Sequence, residues 1–330
     1  DIERLAAEKI SSGKINELLI VVPTNRKLRN LKKEIITQSP NQNVFKINVE
    51  TITTLSTKLL ESHKTFIQLS EAAASVLIKQ CSEEIDFKYL INFKDRIPFG
   101  TLDRIKNVIS EYKKHGFTPE MLLQEAQNLS KSERLKAEDI AEIYKRFLKL
   151  CNELNTFDIG DIYRELNLLN DAEISNCYND NYSDVKTIIV NGFDEFTKHE
   201  VEIINKLSEM ENTPLYINFD YFNFNPAIFS HLNNCYKIFE EKKFKKVTDI
   251  SETEKGKFQN IVRENLFLDK LDKPNPDFKE SISRITAANR EVEVELIAKE
   301  IKKLILENKV EPHKICVAFN VINKYSPIIR

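Results

Sequence analysis

The chain has 330 residues, 41% hydrophobic and 30% charged, a balance that excludes the compositions of disordered and membrane-embedded proteins and fits a folded globular one. A formal net charge of −2 excludes the global positive field of a dedicated nucleic-acid binder, so any contact with a polyanion must come from a local patch. Five scattered cysteines with no C-x-x-C pair argue against zinc and iron–sulfur ligation and suit reduced thiols, and only 6 glycines favour long helices over many tight turns.

Residues 1–16 carry Ile2, Leu5, Ala6, Ile10 and Ile15 at near-helical spacing, which predicts a helix. Leu18-Leu19-Ile20-Val21-Val22 is an unbroken apolar run stopped by Pro23, the mark of a parallel strand buried on both faces. Thr24 or Asn25 can cap the helix that follows, predicted over 27–37. A second strand is expected at 44–49, and another helix from about Thr51. This alternation predicts a doubly wound α/β domain.

From 61 to 170 the period becomes helical, with helices predicted over 72–81, 102–115, 119–129, 137–154 and 159–169 and no strand candidate between them. The stretch reads as an all-helical insertion. Strand character returns at 185–190, followed by Asn191-Gly192-Phe193, a helix over 198–210 and a strand over 215–219. An aromatic stretch (Tyr221, Phe222, Phe224, Phe229) and a basic run, Lys242 to Lys246 around Phe244, have two readings each: core packing or base stacking for the first, a solvated face or a nucleic-acid contact for the second. Lys273-Pro274-Asn275-Pro276 reads as a linker. Beyond it, strands at 281–286 and 315–319 and a helix over 291–307, with Val292, Leu296, Ile297, Ile301, Leu304 and Ile305 on one face, predict the start of a second α/β domain.

No apolar run approaches the roughly 18 residues of a membrane span, and no signal peptide opens the chain, so a cytoplasmic location is expected. Opening on Asp1 without a methionine, the chain is expected to be a piece of a longer protein.

Arg26, Lys27, Arg29, Lys32 and Lys33 fall within eight residues with no acid among them, at the start of a helix that leaves a buried strand. The bland reading is a solvated helix face capped by Thr24; the functional one is a phosphate-contacting patch with salt-sensitive affinity. No glycine spacing gives a phosphate-binding loop: Gly13-Lys14 lacks the first glycine and the following hydroxyl. His63, His115, His199, His231 and His313 show no paired spacing, and no metal site is expected.

Several segments in order resemble a known family. Leu19 to Arg26 (LIVVPTNR) resembles the first strand-to-loop DNA-contacting motif of superfamily 1 helicases of the UvrD/Rep kind, most like the AddB-type subunits of bacterial helicase–nuclease complexes. Thr51-Ile52-Thr53-Thr54-Leu55 is similar to their Thr-containing helix start, and Phe157-Asp158-Ile159-Gly160-Asp161-Ile162 to the "DFDDL" segment after their helical insertion. Ile188 to Phe196 resembles the strand bearing their Walker B motif, in the AddB-like form with Gly-Phe-x-x-Phe, and Ile285 to Ile305, with Asn289 to Glu293, is similar to the entry to their second RecA-like domain.

The resemblance implies a RecA-like, P-loop-NTPase-type parallel-sheet domain formed by 1–60 and 181–225, interrupted by a helical insertion at 61–180. A connecting region at 226–280 and the start of a second RecA-like domain at 281–330 would follow. It implies DNA-contact candidates Thr24, Asn25, Arg26, Lys27, Thr51, Thr53 and Thr54, and a degenerate Walker B position at Asn191 and Gly192, where a working motor carries Asp-Glu. Asp194 and Glu195 come too late to replace them. The expected function is therefore an ATPase-dead, DNA-binding platform in a double-strand-break end-processing complex, without catalytic residues or cofactor in this chain. Its partners would be DNA ends and an AddA-type helicase subunit, and any exonuclease of the PD-(D/E)XK type would lie in a later domain. Two alternatives stay open: an active helicase whose phosphate loop lies upstream of Asp1, and a helical scaffold for protein partners.

Overall fold

The computed structural model describes residues 2–39, 44–83, 85–91, 97–218, 221, 225–246, 257–268 and 281–329. They fall into two compact units, 1–250 and 251–330.

Strand β1 (Leu18–Val22) forms the centre of the first unit, every residue of it buried, because its five apolar side chains leave no face that water can solvate. After α1 (Ile2–Ser11) and β1, the chain runs through α2 (Asn25–Gln38), β2 (Asn48–Thr51) and α3 (Ile52–His63). Then come a short strand β3 (Ile67–Gln68) and the helices α4 (Glu71–Glu83), α5 (Phe99–Lys114), α6 (Pro119–Glu125) and α7 (Lys131–Glu153). Strand β4 (Thr156–Phe157), α8 (Ile159–Leu168) and α9 (Asp171–Tyr182) lead back to β5 (Thr187–Asn191), α10 (Lys198–Ser208) and β6 (Leu215–Asn218), followed by α11 (Pro226–Phe229) and α12 (Asn233–Glu241). The main sheet has four strands, all parallel, in the order β2-β1-β5-β6. Mostly helical α/β architecture around a parallel sheet is as expected.

The sheet is covered on both faces. Leu19, Val21, Ile188 and Val190 join a core with α3, α8, α9 and α10, while Leu18, Ile20, Val22, Val49 and Ile189 pack against Ile10 and the α2 residues Leu28, Leu31 and Ile35. Burying each such side chain contributes about 1.5–3 kcal/mol, which is why the strand run and the inner stripe of α2 are fixed together.

Two departures from expectation have clear causes. The second strand begins at Asn48 rather than 44, because its register (Leu19↔Asn48 through Val22↔Thr51) places polar Asn48, Glu50 and Thr51 in the sheet. Each is buried with a hydrogen-bond partner: Asn48 Nδ2 donates to the Asn16 carbonyl at 2.9 Å, Glu50 accepts from Thr54 Oγ1 at 2.8 Å and Lys58 Nζ at 2.5 Å, and Thr51 Oγ1 accepts the Thr54 N–H. The second departure is a strand pair inside the helical stretch. Strands β3 and β4 pair in parallel, Ile67 with Thr156 and Gln68 with Phe157, and the stacked rings of Phe66 and Phe157 sit beside them. The helices between them, α4 to α7, have a core of their own from Ala74 to Cys151.

The second unit contains α13 (Lys257–Asn265), α14 (Arg290–Leu306) and α15 (Ser326–Ile329). Asn289 caps α14 by accepting from the Val292 N–H at 2.9 Å, and Tyr325 donates to Glu293 at 2.9 Å. The strands expected at 281–286 and 315–319 do not form ladders among the described residues. Ile282, Ile285 and Val317 are exposed there: an apolar run becomes a buried strand only with neighbours to pair with, and the described residues of this unit supply none. The expected linker at 273–276 lies outside the described residues.

Candidate nucleic-acid interface at the carboxyl edge of the sheet

Because the four strands are parallel, the loops after β1, β2, β5 and β6 all emerge at one edge. The chain leaves β1 through α2 toward β2 on one side, and leaves β5 through α10 toward β6 on the other. Connections that diverge from adjacent strands open a crevice between their carboxyl ends, the usual ligand position in open α/β sheets. Here it lies between the β1 and β5 ends, and all nine candidate residues predicted from sequence sit around this edge.

Thr24 caps α2, its hydroxyl accepting the Lys27 N–H at 3.2 Å. Thr24, Asn25 and Arg26 are exposed and Lys27 is half-buried. With Ile35 pointing at the sheet, helical spacing puts Arg26, Arg29, Asn30 and Lys33 on the opposite, solvent-facing stripe, and all four are exposed. None of Arg26, Lys27, Arg29, Lys32 and Lys33 has a carboxylate ion-pair partner among the described residues, although lysines elsewhere are widely paired (Lys9 and Lys186 with Glu17, Lys58 with Glu50, Lys64 with Glu165).

The threonines at the α3 start are committed inward. Thr51 is buried and forms a reciprocal capping box with Thr54: Thr54 N–H donates to Thr51 Oγ1 at 3.1 Å and Thr51 N–H to Thr54 Oγ1 at 2.9 Å. Thr54 Oγ1 also donates to Glu50. Thr53 Oγ1 lies 3.3 Å from the hydroxyl of Tyr163, itself buried on α8. Of the seven contact candidates, only the Thr24–Lys27 group presents its side chains outward.

At the β5 end, Asn191 is half-buried and its Oδ1 accepts from Asn218 Nδ2 at 3.1 Å, while the Gly192 N–H donates to the Asn218 carbonyl at 3.0 Å. Gly192 has φ +78°, and a Cβ built there would overlap Lys27 Nζ and lie 2.8 Å from Lys27 Cε. The positive φ favours glycine, and a side chain here would push aside the flexible end of Lys27. Asp194 and Glu195 are exposed beyond the strand end. The Phe193 and Phe196 rings stack at 4.7 Å and tie this loop to the core. Among the described residues, no group of three His, Cys, Asp or Glu is placed to hold a metal ion.

Side chains that the sequence did not assign to this edge tie the surrounding helices together. Tyr163 donates to Glu200 Oε1 at 3.2 Å, so one buried hydroxyl links the α3 start to the α10 start; burial and the Glu200 charge push its pKa up. Asn167 Nδ2 approaches His199 Nδ1 at 3.0 Å, and the imidazole packs on Gly116, where a Cβ would come within 3.0 Å of it. Burial, with Lys198 and Arg164 nearby, holds the His199 pKa below its usual value. Only the close contact at Gly116 leaves a sequence signal, as a glycine in a helix-ending turn.

The Asp158–Asp161 segment is structural. Asp158 caps α8, and both carboxylates hold the buried Lys113 ammonium at 2.8 and 2.5 Å. Burial raises the Asp161 pKa; for Lys113 burial works the other way, but the two carboxylates outweigh it and raise its pKa. The remaining candidates divide: Lys243, Lys245 and Lys246 are exposed, and the other described ones are packed. Lys242 pairs with Glu202 at 2.9 Å, Phe244 packs edge-on against Phe239, and Tyr221 stacks on Tyr236 at 4.5 Å. Phe229 is buried, and Phe222 and Phe224 lie outside the described residues. No helix among the described residues is long and apolar enough to cross a membrane.

Residues 2–264 match the family described as ADDB, N-terminal. The chain is 23% identical to the B-type subunit of the ATP-dependent helicase/deoxyribonuclease of Clostridioides difficile (strain 630), over 80% of this chain and 24% of that protein. It is 24% identical to the protein of the same name from Bacillus licheniformis, over 79% of this chain and 24% of the relative. A further one from Thermoanaerobacter sp. (strain X514) is 22% identical, over 98% of this chain and 29% of its own length. The chain thus spans between 24% and 29% of the length of these relatives.

Proposed function

Since the chain belongs to the ADDB N-terminal family, we propose that it is the helicase-like front portion of a helicase/deoxyribonuclease component, one that holds the DNA backbone at the carboxyl edge of its sheet without turning over ATP. The observation that carries this reading is the unpaired basic stripe of α2 beside the β1–β5 crevice. Five cations within eight residues of one helix, none of them ion-paired to a carboxylate among the described residues, repel one another, and an arrangement of that kind is relieved by a polyanion.

The RecA-like assignment is supported by four parallel strands, divergent crossovers and an insertion between β2 and β5. The silent-ATPase assignment is supported by Asn191 and Gly192, which offer neither the metal-binding carboxylate nor the water-positioning one that phosphoryl transfer on this architecture uses. The whole protein would then act with an AddA-type helicase partner on double-strand DNA ends. Any strand cleavage would come from another domain.

Fluorescence anisotropy with single-stranded DNA tests the reading. Binding is expected at low salt, with an affinity falling steeply as salt rises, and the triple change Arg26→Ala, Arg29→Ala, Lys33→Ala is expected to weaken it at least tenfold. About 0.7 is lost from the log–log salt slope for each phosphate contact removed. Absence of low-salt binding, an unaffected triple variant, or ATP turnover by the intact protein that depends on Asn191 would overturn it.

A further inference from the structure

We propose that the Lys27 ammonium, laid over Gly192, is a built-in cation that seats a phosphate group at the β1–β5 crevice without a divalent metal. This deepens the preceding reading and rests on its identification of that edge as the one that receives phosphate groups.

Three observations converge. Lys27 lies on the flank of α2 nearest β5, off the solvent stripe of Arg26, Arg29 and Lys33, and is half-buried. The tip of its side chain, Nζ and Cε, lies so close over Gly192 that any side chain there would displace it. Nothing neutralises it: Lys27 has no carboxylate partner among the described residues, and its neighbours at the strand end are amides already paired to one another, Asn191 with Asn218 and the Gly192 N–H with the Asn218 carbonyl. A magnesium ion entering here would meet a like charge and, among the described residues, no group of carboxylates placed to hold it. A phosphate oxygen would instead meet an ammonium lying over the glycine, at the roughly 2.7–2.9 Å spacing of a charge-assisted hydrogen bond. A lysine supplies a point charge, which suits one oxygen of a phosphate rather than a bidentate grip. The same chemistry serves a phosphodiester in a DNA strand and a free phosphate.

The test uses the whole 330-residue chain, with inorganic pyrophosphate and a short oligothymidylate as probes, in magnesium and in EDTA. Lys27→Met keeps the stem and removes the charge; Gly192→Ala keeps the charge and evicts it, and Lys27→Met, a partly exposed change, keeps the test alive if the glycine variant misfolds. Calorimetry is expected to show pyrophosphate binding that is unchanged by EDTA and at least tenfold weaker in either variant. With the oligonucleotide, Lys27→Met is expected to reduce the salt slope by about 0.7, one phosphate. The slope change without pyrophosphate binding supports the seat and assigns it to the strand; pyrophosphate binding lost in Lys27→Met supports it for free phosphates as well. Magnesium-dependent pyrophosphate binding overturns it. So does wild-type behaviour of Lys27→Met with both probes; if the Arg26, Arg29, Lys33 triple variant then still loses oligonucleotide, this inference alone has failed and the DNA reading stands. No oligonucleotide binding by the unaltered chain removes the DNA reading instead.

Discussion

Gly160 opens the first turn of α8 against the last turn of α5, where an added methyl group would overlap Lys113 Cβ and come within 2.9 Å of the Lys113 carbonyl carbon. Backbone cannot yield as a side-chain end can, so Gly160→Ala is expected to cost about 1–3 kcal/mol, read as a lower urea midpoint with unchanged m. Lys113→Ala is expected to cost more, about 3–5 kcal/mol, because it strands Asp158 and Asp161 in the interior. A surface carboxylate gives the pH counterpart. Hydrogen bonds from Lys186 and Lys9 lower the Glu17 pKa from 4.5 to about 2. Its contribution is therefore complete above pH 4.5 and lost as pH falls toward 2. Glu17→Gln is expected to be less stable at neutral pH and to lose less stability across that acid window, measured by circular dichroism in urea at stepped pH. At this scale the exposed α2 patch was legible, since a basic run after a buried strand has a fixed address. The letters gave no hint that Thr51, Thr53 and Thr54 turn inward, because a hydroxyl that caps and one that greets solvent look alike in a string. Nor did they link Lys27 to Gly192, far apart along the chain and joined only by the sheet.

Asp139 shows how one side chain can organise an element. Buried on α7, it accepts the backbone N–H groups of Lys88 at 3.0 Å, Tyr89 at 2.8 Å and Leu90 at 2.9 Å. Asp139→Ala would leave three inward-facing donors without an acceptor, a loss of about 2–4 kcal/mol, while Asp139→Asn, keeping one oxygen, is expected to lose less. Thermal denaturation of the two variants side by side checks the order. Elements were legible wherever a hydrophobic period ran long: β1, β5, β6 and the helices from α4 to α8 follow their apolar spacing. Strand β2 was misplaced because three of its four residues are polar and are buried by hydrogen bonds rather than by hydrophobicity. The β3–β4 pair, two residues a side, is too short for any period. The runs at 281–286 and 315–319 show the opposite failure, strand-like sequence in a setting without ladder partners among the described residues.

All nine candidate residues and all four strands of the main sheet lie in the first unit, 1–250. A chain ending at Ile250 is therefore expected to unfold in one cooperative transition and to bind single-stranded DNA within about twofold of the whole chain; loss of either property would show that residues 251–330 complete the fold or the contact. One detail of this unit reaches further. The backbone leaves at Ile67 and comes back at Phe157 to lie beside the point of departure, with the Asn155 carbonyl accepting the Ile67 N–H at 3.0 Å and the Phe157 carbonyl accepting that of Leu69 at 2.8 Å. An excursion that closes on itself, and that carries its own core, can lengthen, shorten or change its sequence while the rest of the fold sees the same two anchor points. Lineages would then be free to remodel that lobe for new contacts at little risk to the sheet, limited chiefly by the Lys113 clasp and the Gly160 contact that bind it to α8.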